Sequence, residues 1–241
     1  MRLGIMQPYF FPYLGHFALI ASVDEWIVFD VTQYTPKTWM NRNRVLHPKS
    51  GPMYVSVPLA NSSNSIKTSE AMVLNMDEAK RSIAGKLSHY KRKAPYYYRV
   101  QKIIQEAFDG ARDSSLVSLN VSALVTVCEY LGIPFRYRIC SELSLDFPEK
   151  LGPGDWAPFI CNALGATEYV NPVGGKDLFD VSKFSDIGVK LLLAEFSEFQ
   201  YSTDPYVYEP NLSILDAMMW NAPEEIVAAL QQNTRLIDQK L

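Results

Sequence analysis

Arg2-Leu3-Gly4-Ile5-Met6-Gln7 and Trp26-Ile27-Val28-Phe29-Asp30 are the two stretches that decide the fold. Each is a short apolar run that ends in a polar residue, as in a strand buried on both faces. Pro8 and Pro12 stop the first run, because proline offers no N–H to a ladder. Between the runs, Gly15 to Ala21 reads as a short helix. Strand, loop, helix and strand in so little chain predict a parallel βαβ unit.

Outward from that unit, residues 31–52 read as a long polar loop. Residues 53–58 and 66–74 read as two strands paired antiparallel, with Asn61-Ser62-Ser63-Asn64-Ser65 as their turn. Helices follow at about 77–90, 94–108 and 114–131. The last carries Leu116, Leu119, Ala123, Val127 and Leu131 at helical spacing. A strand at 134–140, a helix at 154–164 closed by Gly165, and strands at 167–171 and 187–194 come next. Two helices, at 212–220 and 223–231, finish the chain. The expected fold class is α/β, a mostly parallel sheet with helices on both faces, in a single domain over 1–241. The helical region 75–131 is expected to be a cap or insertion. In such folds ligands bind beyond the carboxyl ends of the strands. The loops after residues 7, 30, 140, 171 and 194 are therefore where a site is expected.

Composition narrows the class. A chain of 241 residues with 48% hydrophobic side chains can bury a sizeable core and is globular rather than disordered. Its net charge is −3, and its densest basic stretch is only Lys86, His89, Lys91, Arg92 and Lys93. That stretch reads as a solvated helix end, with a phosphate-facing patch as the alternative. Duplex nucleic acid is not expected as a partner, since its affinity comes chiefly from basic surface. The odd set Cys128, Cys140 and Cys161 sits among apolar residues without a CxxC, as in a reducing compartment. The first residues are not expected to be a signal peptide, and no membrane span is expected, since no stretch approaches 18 apolar residues. A cytoplasmic protein is expected. The aromatic surplus, 12% of residues, suits an oligomer interface and a core equally.

Four constellations could carry chemistry. The first is Gln7-Pro8-Tyr9-Phe10-Phe11-Pro12-Tyr13-Leu14-Gly15-His16, leaving one strand and entering a helix. Gly15 permits close backbone approach, and the helix start behind it favours an anion. His16 can donate to a phosphate oxygen or act as an acid or base. Gln7 can read an amide or hydroxyl, and Tyr9 adds an aromatic wall. The second is Asp30, Gln33, Tyr34, Trp39, Asn41, Arg42, Asn43 and Arg44. Arg42 and Arg44 can clamp phosphate or carboxylate. Trp39 or Tyr34 can stack on a ring, and Asn41 and Asn43 can fix hydroxyls. The third is Asn171-Pro172-Val173-Gly174-Gly175-Lys176, where Gly174, Gly175 and Lys176 suit a phosphate or a plain turn. The fourth is Asn211-Leu212-Ser213-Ile214-Leu215-Asp216, in which Asn211 or Ser213 is a helix cap and Asp216 closes a capping box, with anion binding as the alternative. The sequence has no Walker loop, GxGxxG, metal-spaced His/Cys set or GxSxG elbow.

Gln7-Pro-Tyr-Phe-Phe-Pro-Tyr-Leu-Gly15, Asp30-Val-Thr-Gln33-Tyr34 and Trp39-Met-Asn-Arg-Asn43 together resemble the WbqC-like protein family. The likeness continues through Val57-Pro58, Lys93-Ala-Pro-Tyr96, Leu131-Gly132-Ile133, Gly165-Ala166, Gly174-Gly175-Lys176 and Asn211-Leu-Ser-Ile-Leu-Asp216. The resemblance implies bacterial genes for O-antigen and other surface polysaccharides, and a proposed glycine transferase. Val31 stands where the family commonly has a second acid, and Asn171-Pro172 where it often has Ser-Gly. Tyr13-Leu14-Gly15-His16 also looks like the His-x-Gly-His motif of nucleotidyltransferases, with Tyr13 in place of the first histidine. The expected fold is accordingly nucleotidyltransferase-like or Rossmann-like.

These readings combine into one expectation. The chain is a transferase or ligase that attaches a small acyl or aminoacyl group to an amino sugar or nucleotide-linked sugar. His16, Asp30 and Arg42 are the expected catalytic residues. Gln7, Tyr9, Gly15, Gln33, Tyr34, Trp39, Asn41, Asn43, Arg44, Gly174, Gly175, Lys176, Asn211, Ser213 and Asp216 are the expected substrate contacts. The cofactor is open, with ATP and Mg²⁺ the candidate, and no resident metal is expected. A non-catalytic protein that holds a nucleotide sugar or a partner enzyme of the same pathway is the alternative.

Overall fold

The computed structural model describes residues 1–239. In chain order its elements are β1 (Arg2–Met6), α1 (Leu14–Ile20), β2 (Glu25–Val28), β3 (Arg42–Leu46), β4 (Pro52–Ser56), α2 (Met76–Lys86), α3 (Tyr97–Asp109), α4 (Leu116–Leu131) and β5 (Tyr137–Ile139). They continue with α5 (Trp156–Ala163), β6 (Glu168–Pro172), α6 (Val181–Ser185), β7 (Lys190–Phe196), α7 (Ile214–Trp220), α8 (Pro223–Asn233) and β8 (Thr234–Asp238). The six-stranded sheet runs β5-β2-β1-β6-β7-β8. Five strands are parallel, and β8 joins β7 antiparallel. By chain order the parallel strands read 3-2-1-4-5, so the order reverses between β1 and β6. Ligand crevices in open α/β sheets form at that reversal.

Side chains alternate across the sheet as strand geometry requires. Leu3, Ile5, Ile27, Tyr169 and Leu191 face one core, shared with α5 and α6. Trp26, Val28, Val170 and Leu192 face the other, which also takes α1, α3, α4, α7 and α8. Gly4 pairs with Trp26 across the sheet, and a Cβ there would stand 2.9 Å from the indole. The glycine in β1 thus leaves the room that the Trp26 ring occupies. No helix among the described residues is long and apolar enough to cross a membrane.

The α/β class and the mostly parallel sheet are as expected, but several local expectations change. The polar stretch 31–52 contains β3, whose antiparallel partner is β4. Residues 66–74 form no strand. They hold a short 3₁₀ turn at Thr68–Glu70 and single bridges from Lys67, Met72 and Val73. The Asn61 side chain explains this, since it donates to the Glu70 carbonyl and accepts from the Met72 N–H, closing the chain locally. The helix expected at 77–90 stops at Lys86 and continues as a 3₁₀ turn to Arg92, ahead of Pro95. The strand β8 leaves no mark in the sequence because, as an exposed edge strand, it has no buried face to set its period.

Candidate functional site

The loop from Gln7 to Tyr13 leaves β1 at the sheet's carboxyl edge and is held almost entirely through its backbone. Asn43 is buried on β3, and its Nδ2 donates to the carbonyls of Phe10 (3.0 Å) and Phe11 (2.9 Å). Its Oδ1 accepts the Arg44 N–H at 2.8 Å. Ser213 donates its hydroxyl to the Phe11 carbonyl at 2.7 Å and caps α7 through the Leu215 N–H. The Ser213 N–H reaches the Arg44 carbonyl, and the Ile214 N–H reaches that of Pro12. These ties hold Phe11 at a φ of 37°, a left-handed backbone that a phenylalanine adopts only under constraint. From the helical region, Asn120 donates to the carbonyls of Pro8 (2.7 Å) and Met40 (2.8 Å). Sequence reasoning misses Asn120, though a carboxamide inside an otherwise apolar helical face is a signal that could have found it.

Over this clamp lies a cleft of about 310 Å³, lined by Tyr9, Pro12, Tyr13, Trp39, Asn43, Arg44 and Asn211. That volume suits a small molecule. A narrow recess of about 20 Å³ adjoins it, sharing Tyr13 and Asn211 and reaching Tyr201 and Tyr208. Trp39 and Tyr13 are both more than one-third exposed. The Arg44 guanidinium lies 5.6 Å from the centre of the Trp39 ring and makes a long 3.5 Å contact to the Asn211 carbonyl. Asn211 itself has a left-handed φ of 55°. A larger groove of about 550 Å³ lies between α3 and α4. Of its lining charges Lys102 pairs with Glu106, Arg112 with Glu142 outside the groove, and Arg99 lies over the Tyr130 ring.

The cleft thus unites Tyr9, Trp39, Asn43, Arg44 and Asn211 from the expected residues, drawn from three constellations. Arg42 sits beside it on β3, with its guanidinium 4.3 Å above the Tyr54 ring. Gly15 lies under the Tyr13 ring, where a Cβ would stand 2.5 Å from the ring carbons. The close approach foreseen at Gly15 is therefore made by a neighbouring side chain. His16 lies behind Tyr9, fully buried between Tyr9, Phe17 and Trp26. Burial pushes its imidazole down to about 3, so it is neutral at physiological pH.

The other expected residues lie outside the cleft. The Asp30 carboxylate accepts the Ser141 N–H at 2.9 Å and the Ser141 hydroxyl at 2.6 Å, joining the ends of β2 and β5. Burial raises its pKa despite those bonds. Gln7 donates to the Thr32 hydroxyl at 3.4 Å, and Gln33 to the Asn64 carbonyl. Tyr34 is fully buried. Asn41 exchanges bonds with Val57, side chain to carbonyl and carbonyl to N–H. Asp216 is buried between the Tyr90 and Tyr201 hydroxyls. Gly174, Gly175 and Lys176 form an exposed 3₁₀ turn after β6, with Gly175 packed against the Asn171 carboxamide.

Fold and cleft together define a Rossmann-like α/β protein with an aromatic, arginine-bearing cleft at the carboxyl edge of its sheet. The chain belongs to the WbqC-like protein family, whose model matches residues 7–228. It is 27% identical over 219 residues to a Mycobacterium tuberculosis protein named uncharacterized protein Rv1507c, covering 90% of this chain and 92% of that one. No solved structure gives a significant match.

Proposed function

We propose that this chain is a transferase or ligase of bacterial surface-polysaccharide synthesis. It joins a small acyl or aminoacyl group, glycine among the candidates, to an amino sugar or nucleotide-linked sugar. One observation carries the reading: Arg44 stands in an aromatic cleft whose lining holds no carboxylate to neutralise it. Such a guanidinium suits a phosphate or carboxylate, and rings such as Trp39 and Tyr9 suit the flat face of a sugar or base. Asn43 and Asn211 border the same space. The lining offers no thiol, imidazole or carboxylate nucleophile, which favours direct attack by the sugar amine on an activated acyl carbon. In that step the C–N bond forms, the leaving group departs with its electron pair, and the amine proton passes to water. Arg44, with Arg42 beside it, would hold the phosphate or carboxylate charge that the substrate brings.

In this reading His16 and Asp30 act as positioning residues. His16 backs the Tyr9 wall, and Asp30 pins two strand ends. Residues for ATP fit in part, since Arg44 suits a phosphate, but the lining holds no carboxylate set for Mg²⁺. Free, buried thiols at Cys128, Cys140 and Cys161 suit the cytoplasm as the place of reaction. A second reading, a protein that binds a nucleotide sugar without chemistry, is favoured by the commitment of His16 and Asp30 to buried contacts.

Thermal shift tests the binding common to both. UDP-sugars, dTDP-amino sugars, ATP and glycine would be offered in turn to the wild type and to Arg44→Ala. A ligand at 100 times its Kd adds about 2.7 kcal/mol. For a chain of this size that is roughly 5–10 °C. The shift is expected with a nucleotide sugar and is expected to vanish in Arg44→Ala, whose own Tm stays close to wild type. No shift with any of them overturns the reading. Product formation from bound sugar and acyl donor separates the enzyme from the binding protein.

A further inference from the structure

Arg42 and Arg44 alternate with Asn43 and Val45 along β3, so both arginines stand on one face of the strand while Asn43 and Val45 are buried on the other. Residues two apart on a strand face are about 7 Å apart. Each guanidinium rests on an aromatic ring, Arg42 on Tyr54 and Arg44 on Trp39, and Tyr54 is the cross-strand partner of Arg44. Neither has a carboxylate partner among the described residues. Both Nε atoms are buried without a hydrogen-bond partner. Both side chains are only half-buried, so the terminal guanidinium nitrogens stay open to an anion that no carboxylate of the chain supplies. The rings beneath fix the guanidinium planes in advance, which lowers the ordering cost of binding.

From this arrangement we infer that the cleft ligand is anchored by a diphosphate laid along β3, one phosphoryl group against Arg42 and the other against Arg44. The inference rests on the nucleotide-linked sugar of the proposed function and selects it over a free amino sugar. A carboxylate offers two oxygens, enough for one fork, and a single phosphate must share its three between two, whereas two linked phosphoryl groups give each fork its own pair of oxygens for a charge-assisted bidentate contact. Only Arg44 borders the cleft itself, so the phosphoryl group at Arg44 is the one that leads to the ring in the aromatic cleft. The group at Arg42 lies farther along the hairpin. Lys86, which donates to the Tyr54 carbonyl at 2.8 Å, keeps a third cation beside that strand.

Calorimetric titration with UDP, UMP, inorganic pyrophosphate and inorganic phosphate at one ionic strength tests this. Wild type, Arg42→Ala, Arg42→Lys and Arg44→Ala are compared after their Tm values have shown them folded. UDP is expected to bind at least tenfold more tightly than UMP, and pyrophosphate to displace UDP where phosphate does not. Arg42→Ala is expected to erase the UDP-to-UMP ratio with little change in UMP affinity. Arg42→Lys keeps the charge and loses the fork, so it should recover only part of the ratio. Arg44→Ala is expected to weaken both nucleotides. Equal affinities for UDP and UMP, or equal losses of both in Arg42→Ala, overturn the diphosphate site while leaving a nucleotide ligand standing. Binding of pyrophosphate without either nucleotide supports the diphosphate site and overturns the uridine nucleotide as its carrier. Binding of none of the four overturns the inference.

Discussion

Replacing Asp216 by asparagine should remove a pH dependence from the stability of this protein. The carboxylate is 1% exposed, and it accepts from the Tyr201 hydroxyl at 2.8 Å, from the Tyr90 hydroxyl, and at 3.5 Å from the Leu46 N–H. Burial pushes its pKa up to about 6, against the pull of those bonds. An unfolded aspartate titrates near 3.9, so the difference of about two pKa units corresponds to about 3 kcal/mol. Between about pH 4 and pH 6 the native chain keeps a proton that the unfolded chain has lost. The stabilising contribution is therefore complete below about pH 4, declines as pH rises through that window, and is gone above about pH 6. The carboxamide of the Asp216→Asn variant does not titrate. It gives up one acceptor, leaving a tyrosine hydroxyl short of a partner, a pH-independent cost of about 1–3 kcal/mol. Urea midpoints of wild type and Asp216→Asn at half-unit steps from pH 4 to pH 7.5 provide the assay. Groups shared by both chains, such as Asp30, cancel in the difference. The wild type should lose about 3 kcal/mol more than the variant across the window, or roughly 6–12 °C in Tm. A difference that stays constant from pH 4 to pH 7 refutes the account, because it would mean that Asp216 is ionised in both states throughout.

Asn43→Ala removes both donors to the Phe10 and Phe11 carbonyls and the acceptor for the Arg44 N–H, so chemical denaturation should show a loss of roughly 2–4 kcal/mol. A neutral Asn43→Ala would mean that the Phe11 turn holds itself. Burial pushes the thiols of Cys128, Cys140 and Cys161 up to about 12, so a disulfide reagent at pH 8 should label none in the native protein and all three after unfolding. Rapid native labelling of any one would show that its pocket opens far more often than the packing implies.

The opening βαβ unit is legible in the sequence because β1 and β2 are buried on both faces, and such strands are plain apolar runs. The helix α4 is legible for the same reason at helical spacing. The strand β3 is not, because its inward residues include a carboxamide: Asn43 faces the interior between Arg42 and Arg44, so the alternation carries no apolar signature. The edge strand β8 turns no face inward and leaves no periodic trace. What sequence patterns record is burial of apolar surface, and β8 buries little while β3 breaks its apolar Val45 and Leu46 with a hydrogen-bonded carboxamide.

The candidate site shows the same limit from the chemical side. Asp30, Asn43, Ser213 and Asp216 look in the sequence as ready for a ligand as Arg42 and Arg44 do, since a side chain's composition does not say what it is bonded to. The fold separates them by what is left unspent. The first four are buried, and their polar atoms are committed to Ser141, to the Phe10 and Phe11 carbonyls, and to Tyr90 and Tyr201. The two guanidiniums keep donors without an acidic partner. A committed group lost to alanine leaves its partner buried and unpaired, so the cost falls on folding. An uncommitted group lost to alanine leaves the native state nearly unchanged, so the cost falls on the ligand that would have used it. Substitutions in the first set should therefore move Tm and those in the second should move Kd, although all six residues belong to motifs that look alike in the sequence.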